Sequence, residues 1–182
     1  MRIFAPLTAL AIAITATPAM SQDMSKFEKG PVFTEYGPHA AVESDVTIPQ
    51  GSFFKVAFDA SDAAEEGKIN RKFESLARFI NMHVANGVPE KNIHLAIVLH
   101  GGAVQDVLSD EAYGKRHDGA ANVNADLVRQ LLAHNVRFIV CGQSATASGI
   151  DKSELMEGVE MALSAMTAHA LLQHEGFTTN PF

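Results

Sequence analysis

The chain has a single cysteine, Cys141, whose position points to chemistry at its thiol. It follows the apolar run 136–140 and precedes Gly142, Gln143 and Ser144. A run of β-branched and aromatic residues is typical of a buried strand, and the glycine and serine indicate that the strand ends there. Because parallel α/β sheets bind ligands at the carboxyl ends of their strands, the sequence predicts that Cys141 lies at a ligand-binding edge.

His100 is the second candidate, since it follows another apolar run, 93–99, and precedes Gly101 and Gly102. Both runs are predicted strands of one parallel sheet, so we expect His100 and Cys141 at the same edge. The pattern does not say whether the two strands are neighbours. Backbone N–H groups of the two glycine-containing loops, together with an imidazolium, would lower the pKa of the thiol and increase its thiolate fraction.

Each candidate also has a purely structural interpretation. Cys141 can be an inert buried residue, because free cysteine often packs as a small apolar side chain. His100 can simply close a loop by hydrogen bonding, and Asn124 is a typical helix N-cap. Gln143 and Ser144 can be ordinary turn residues. These alternatives stay open from the residues alone.

The elements that must position these residues alternate between strands and helices, which predicts an α/β fold with a parallel sheet and right-handed crossovers. Apolar runs and helical spacing give five core strands and three main helices. The predicted strands are 53–58, 93–99, 136–140, 159–163 and 177–179, and the predicted helices run from an Asn70 cap to Asn86, over 124–134 and over 164–175. Residues 159–163 also fit an extension of the last helix. Loops are expected at 110–119 and 144–150, and a short edge strand at 46–48.

The N-terminal residues divide into two expected segments ahead of the α/β domain. Residues 1–21 have a basic start, an apolar stretch and small residues ending at Ser21, which predicts a cleaved signal peptide. A membrane anchor is the alternative, but the apolar stretch is too short to span a bilayer. Residues 22–51 are expected to form an extended arm, and 52–182 the domain. Cleavage would place the protein in the periplasm if its source is bacterial.

Composition excludes several classes of function. The net charge is −7, and the basic residues are scattered among acidic ones, which argues against nucleic-acid binding. No basic amphipathic segment indicates membrane association, and no stable membrane insertion is expected after removal of the signal peptide. A lone thiol cannot form a disulfide within the chain. The histidines lack the spacing of a metal site, so we expect no metal and no cofactor.

Several short motifs together resemble the DsrE/DsrF-like family from Phe53 to the C-terminus. The most specific of them is the strand that ends in Val140-Cys141-Gly142-Gln143-Ser144. The others are His100-Gly101-Gly102-Ala103, Asn124 at a helix start, Asn135 before the cysteine strand, Gly149-Ile150, and Leu172-Gln173 with Gly176-Phe177.

The resemblance implies a three-layer α/β/α sandwich with a mainly parallel sheet of about five strands, assembled as trimers or hexamers. In the sulfur-relay members one cysteine carries sulfur as a persulfide, and Cys141 stands at that position. We therefore expect an exported sulfur carrier or sulfurtransferase in which Cys141 and His100 do the chemistry. The expected substrate-binding residues are Gly101, Gly102, Asn124, Gly142, Gln143 and Ser144.

The expected partners are a sulfur donor and an acceptor, each a protein or a small thiol. A non-catalytic oligomeric binding module in sulfur metabolism is the main alternative. A metal-binding protein that uses the cysteine and histidines is the third possibility.

Overall fold

The structure is a computed structural model that describes residues 23–180. The predicted signal peptide lies outside this range. The strands are β1 (Phe27–Glu28), β2 (His39–Ala40), β3 (Phe54–Ala60), β4 (Ile93–Leu99), β5 (Arg137–Cys141), β6 (Glu160–Ala162) and β7 (Thr178–Asn180). The helices are α1 (Arg71–Ala85), α2 (Asp110–Arg116), α3 (Ala125–Ala133), α4 (Gly142–Ala147) and α5 (Ala165–His174). Short 3-10 segments cover Glu90–Asn92, Gly101–Val107 and Lys152–Glu154.

The core is a five-stranded sheet in the order β6-β5-β4-β3-β7, in which every neighbouring pair is parallel. Strand β4 has the predicted bounds, 93–99, and its apolar residues are buried on both faces of the sheet. The strands that end near His100 and Cys141, β4 and β5, are neighbours, with Leu99 opposite Val140. The sequence-based prediction of an α/β fold with a parallel sheet is confirmed.

Helices cover the sheet on both faces, which confirms the three-layer α/β/α sandwich. Helices α1 and α3 pack on one face through the larger apolar cluster, and α5 packs on the other through Ala168 and Leu172. Helix α1 begins at the predicted cap, where the Asn70 side chain accepts a hydrogen bond from the Lys72 N–H at 2.9 Å. No helix within residues 23–180 is long and apolar enough to cross a membrane.

Three local predictions are wrong, and the predicted end of the strand before Cys141 is one residue short. The expected loop 110–119 contains helix α2, which begins after Ser109 and has acidic residues in its first turn and basic residues in its last, an arrangement that the helix dipole favours. The expected loop 144–150 contains most of α4, because the chain turns into a helix directly after Cys141. Residues 46–48 form no strand. Cys141 is itself the last residue of β5, one position further into the strand than expected.

The segment before the sheet packs on the outer side of α1. Phe33 is 1% exposed and belongs to the larger cluster. The Asn81 side chain, fully buried on α1, accepts hydrogen bonds from the Val32 and Phe33 N–H groups at 3.0 and 2.8 Å. Its amide donates to the carbonyls of Phe33, Tyr36 and Gly37 at 3.0, 3.0 and 3.1 Å. The Asn81 side chain therefore makes five of the hydrogen bonds that fix this segment to the domain, in addition to the packing of Phe33.

Candidate functional site

Cys141 lies at the junction of β5 and α4 and is 5% exposed. Its burial alone would raise the pKa of the thiol. Hydrogen bonds from the Ser144 hydroxyl and from the backbone N–H groups of Ser144, Ala165 and Gln143 outweigh burial and lower that pKa. The thiolate is therefore favoured by neutral donors that the fold holds in place.

Ser144 connects the thiol to the loop after β4. Its Oγ accepts a hydrogen bond from the Gly101 N–H at 3.1 Å, and its hydroxyl hydrogen is then available to the sulfur. Leu99 lies opposite Val140, and His100 continues in an extended conformation, so His100 and Cys141 are the next pair in register. The structure thus brings Cys141, His100 and Ser144 together.

Three glycines allow the close backbone approaches that shape this edge of the sheet. A Cβ on Gly142 would lie 2.7 Å from the Ala162 carbonyl oxygen, and one on Gly101 would lie 2.7 Å from the Ser61 carbonyl oxygen. A Cβ on Gly102 would lie 3.2 Å from the Ala63 nitrogen. The absence of a side chain at these three glycines therefore allows neighbouring chain segments to pack closely at this edge of the sheet.

Gln143 contributes to the site mainly through its backbone. Its N–H is among the donors to the Cys141 sulfur. Its side-chain amide donates instead to the Leu163 carbonyl at 3.2 Å, which ties α4 to the segment after β6. The side chain thus helps to hold the two segments that meet at the thiol.

His100 is hydrogen-bonded to a carboxylate, Asp59, that is not among the site residues predicted from the sequence. Its Nε2 lies 2.9 Å from Asp59 Oδ2, and Nε2 of His169 lies 2.7 Å from Asp59 Oδ1. Burial alone would raise the pKa of Asp59, but the hydrogen bonds from His169 and His100 outweigh it and lower that pKa. The predicted strand ends at residue 58, whereas β3 ends at Ala60. With the longer strand, the alternation of side chains would have placed Asp59 on the same face as Ala57. No local signal connects His169 to this edge.

Asn124 lies on the other face of the sheet, at the start of α3. It is 1% exposed, and its Oδ1 accepts the Asn70 N–H at 2.7 Å, while its own N–H donates to Asn122 Oδ1 at 3.0 Å. Asn70 also donates to the buried Asp106 carboxylate at 2.6 Å. The structure therefore places Asn124 in a buried network of polar side chains, apart from the residues that contact the thiol.

No group of three or more histidine, cysteine or acidic side chains within residues 23–180 is arranged to hold a metal ion. The Asp59 cluster contains two imidazoles, but each Nε2 is bonded to the carboxylate. The chemistry that this edge offers is therefore that of a stabilised thiolate with imidazole and carboxylate groups close by.

Replacing Ser144 with alanine is expected to raise the pKa of Cys141, because the hydroxyl donor to the sulfur is removed. Loss of one hydrogen bond worth about 1 kcal/mol corresponds to an alkylation rate about fivefold lower at a pH below the thiol pKa. The measurement is the rate of modification by iodoacetamide as a function of pH. Ser148→Ala, at the exposed end of the same helix, is the matched control, and equal rates in both variants would contradict the assignment.

The model of the DsrE/DsrF-like family matches residues 52–179. Two solved structures are similar to this chain. YchN from E. coli is 23% identical, with alignment over 71% of this chain and 100% of that chain and a TM-score of 0.48. MTH1491 from Methanobacterium thermoautotrophicum, a protein of unknown function, is 22% identical, with 71% and 99% covered and a TM-score of 0.47. No curated protein matches the sequence. Since the family model matches well over half of this chain, the chain belongs to the DsrE/DsrF-like family.

Proposed function

We propose that this protein is a sulfur carrier or sulfurtransferase that holds sulfur as a persulfide on Cys141. The observation that carries the proposal is the set of donors around the sulfur, the Ser144 hydroxyl and three backbone N–H groups, which lowers the thiol pKa. A thiolate is the species that attacks a sulfane sulfur. The same donors can stabilise the anionic form of the persulfide after transfer.

The low exposure of Cys141 limits which sulfur compounds reach it. With 5% of its surface accessible, the sulfur favours a small or slender donor, such as a persulfide at the end of a flexible group. The same shielding protects a bound persulfide from solvent oxidants. Because the chain has no second cysteine, the sulfur must leave to an external thiol or to the cysteine of another protein.

We propose further that the protein works in the periplasm, after removal of residues 1–21, and as a trimer or hexamer. The signal-peptide pattern of the sequence supports export, and the family resemblance supports assembly. Three exposed apolar side chains, Leu163, Met166 and Leu171, are 72%, 81% and 55% accessible and lie on or beside α5. An oligomer interface that includes α5 and the residues before it would cover apolar surface of this kind.

The second candidate is a non-catalytic oligomeric binding module, which the low exposure of the thiol also favours. In that case Cys141 would be a packed structural residue, and the apolar side chains of α5 would contact a partner. The two candidates differ in one respect that can be measured directly, because only a sulfur carrier gains a sulfur atom at the cysteine.

The test is the intact mass of the purified protein after incubation with glutathione persulfide or inorganic polysulfide. Persulfidation adds about 32 Da. We expect this gain in the wild type, its loss after treatment with dithiothreitol, and no gain in Cys141→Ser. Wild type that remains unmodified with both donors would overturn the sulfur-carrier proposal and favour the binding module. Metal analysis of the same two samples tests the metal-binding alternative.

A further inference from the structure

Asp59 joins two histidines, His100 and His169, that are distant from each other in the sequence. It is the penultimate residue of β3, His100 follows β4, and His169 lies in the middle of α5. One carboxylate oxygen is 2.9 Å from Nε2 of His100, and the other is 2.7 Å from Nε2 of His169. The carboxylate therefore forms a bridge between the two imidazoles.

This bridge determines which ring nitrogens remain available. The ionised Asp59 carboxylate can only accept hydrogen bonds, so each Nε2 carries the hydrogen that it donates. In the neutral imidazoles, Nδ1 is then the basic nitrogen. Nδ1 of His169 is buried and has no hydrogen-bond partner among the described residues. In each ring, Nδ1 is therefore the nitrogen that can accept a hydrogen bond or a proton, on the side of the ring away from the carboxylate.

The bridge lies on the same face and at the same edge as the thiol. Side chains two positions apart on a strand lie on the same face of the sheet. Asp59, His100 and Cys141 each follow by two positions a residue that packs toward α5, namely Ala57, Val98 and Ile139. His100 is next to Cys141 in register. His169 lies one helical turn after Ala165, whose N–H donates to the Cys141 sulfur.

We propose that Asp59 holds His100 and His169 as a proton relay for Cys141, in which His100 exchanges a proton with the thiol and with the thiolate that leaves the sulfur donor. His100 is the group that transfers the proton, and Asp59 and His169 are positioning residues. This inference rests on the proposed function and adds the source and destination of the proton.

The step balances without an external oxidant or reductant. Nδ1 of His100 takes the proton of the Cys141 thiol, and the thiolate attacks the outer sulfur of a persulfide, R–S–SH. A new S–S bond forms at Cys141 as the S–S bond of the donor breaks, and its electron pair leaves on R–S⁻. The imidazolium returns its proton to give R–SH. The products are the Cys141 persulfide and one thiol.

The role of Asp59 follows from the charges around it. Within residues 23–180, the ionisable groups that shift its pKa through hydrogen bonds and charge are His100 and His169. The carboxylate fixes the tautomer and orientation of each ring, as carboxylates do behind catalytic histidines in general. Replacement by asparagine keeps the shape but removes the charge.

The experiment compares two disulfides that differ in how much the leaving thiolate needs a proton. Glutathione disulfide releases a basic alkyl thiolate, whereas 5,5′-dithiobis(2-nitrobenzoic acid) releases an aromatic thiolate that is stable without protonation. The rate of mixed-disulfide formation at Cys141 is measured for wild type, Asp59→Asn and His169→Asn. Asp62→Asn, an exposed neighbour with the same change of charge, is the matched control.

We expect Asp59→Asn to lower the rate with glutathione disulfide about tenfold or more and the rate with the aromatic disulfide by less than about threefold. His169→Asn should change the ratio of the two rates in the same direction, and Asp62→Asn should leave it unchanged. Equal losses with both disulfides in Asp59→Asn would indicate a structural role and overturn the relay. Unchanged rates would overturn it as well.

Failure of the relay and failure of the proposed function are distinguishable. Disulfide exchange needs a reactive thiol but no persulfide, so the ratio of the two rates tests the relay even in a protein that does not gain 32 Da. Conversely, a protein that gains about 32 Da but shows no selective loss in Asp59→Asn is a sulfur carrier without this relay.

Discussion

Replacing Asn81 with alanine is expected to lower the free energy of unfolding by about 3 kcal/mol or more. The side chain is fully buried and makes five hydrogen bonds to the backbone of residues 32–37. Alanine would leave two N–H and three C=O groups without this partner, several of them buried. Unpaired buried polar groups cost about 1–3 kcal/mol each, and water entering the space would offset part of the total.

The measurement is urea denaturation followed by circular dichroism, combined with limited trypsin digestion at Lys26 and Lys29. In Asn81→Ala we expect faster cleavage at these lysines as well as a lower midpoint. Asn86→Ala is the control, because the Asn86 amide is exposed and its bond to the Met82 carbonyl can be replaced by water. A loss below about 1 kcal/mol in Asn81→Ala would show that the segment is held by other contacts.

Replacing Gly142 with alanine is expected to reduce both stability and thiol reactivity. The new Cβ would lie 2.7 Å from the Ala162 carbonyl oxygen and 3.3 Å from that of Leu163. Both are backbone atoms at the end of β6, so relief of the clash requires movement of a strand. Overpacking of this kind costs about 1–3 kcal/mol. The movement would also separate the Ala165 N–H from the Cys141 sulfur and raise the thiol pKa.

Unfolding in urea and the rate of iodoacetamide alkylation measure the two effects of Gly142→Ala. Gly114→Ala is the matched control, because a Cβ there has only ordinary contacts, the nearest at 3.6 Å, and alanine favours helix α2. We expect this control to be as stable as wild type or slightly more so. Wild-type stability together with wild-type alkylation in Gly142→Ala would show that α4 and β6 can separate at little cost.

The strands and the long helices were predictable because their apolar patterns are dictated by burial. The run 93–99 is buried on both faces, and its bounds were correct. Helix α2 stands where a loop is predicted, although Ser109 as a cap and the charge distribution of 110–116 are typical of a helix. Helix α4 has only small and polar residues, Gly142 to Ala147, whose composition is equally typical of a loop. Its helical form depends on contacts with β5 and the loop after β4, which lie outside its own sequence.

The candidate site was predictable only where its residues follow strands. Cys141, His100 and Ser144 were selected because they follow apolar runs, and the structure brings them together. Asp59 and His169 are 110 positions apart, and their contact depends on how α5 crosses the sheet between β6 and β7. Asn124 follows no strand directly, and it is hydrogen-bonded to Asn70 and Asn122 on the face of the sheet opposite the thiol. The sequence pattern does not reveal such pairings, because they arise from packing between distant segments.

The environment of the thiol determines whether its reactivity can be reproduced in a short peptide. The donors to the sulfur come from α4 and α5, and the Asp59 and His100 side chains come from the ends of β3 and β4, so this environment is assembled only when the whole domain folds. A peptide that contains Val140 to Ser144 alone would be an ordinary thiol. The enhanced reactivity of the cysteine is thus a property of the complete domain. We expect it to be lost in the same transition in which the domain unfolds.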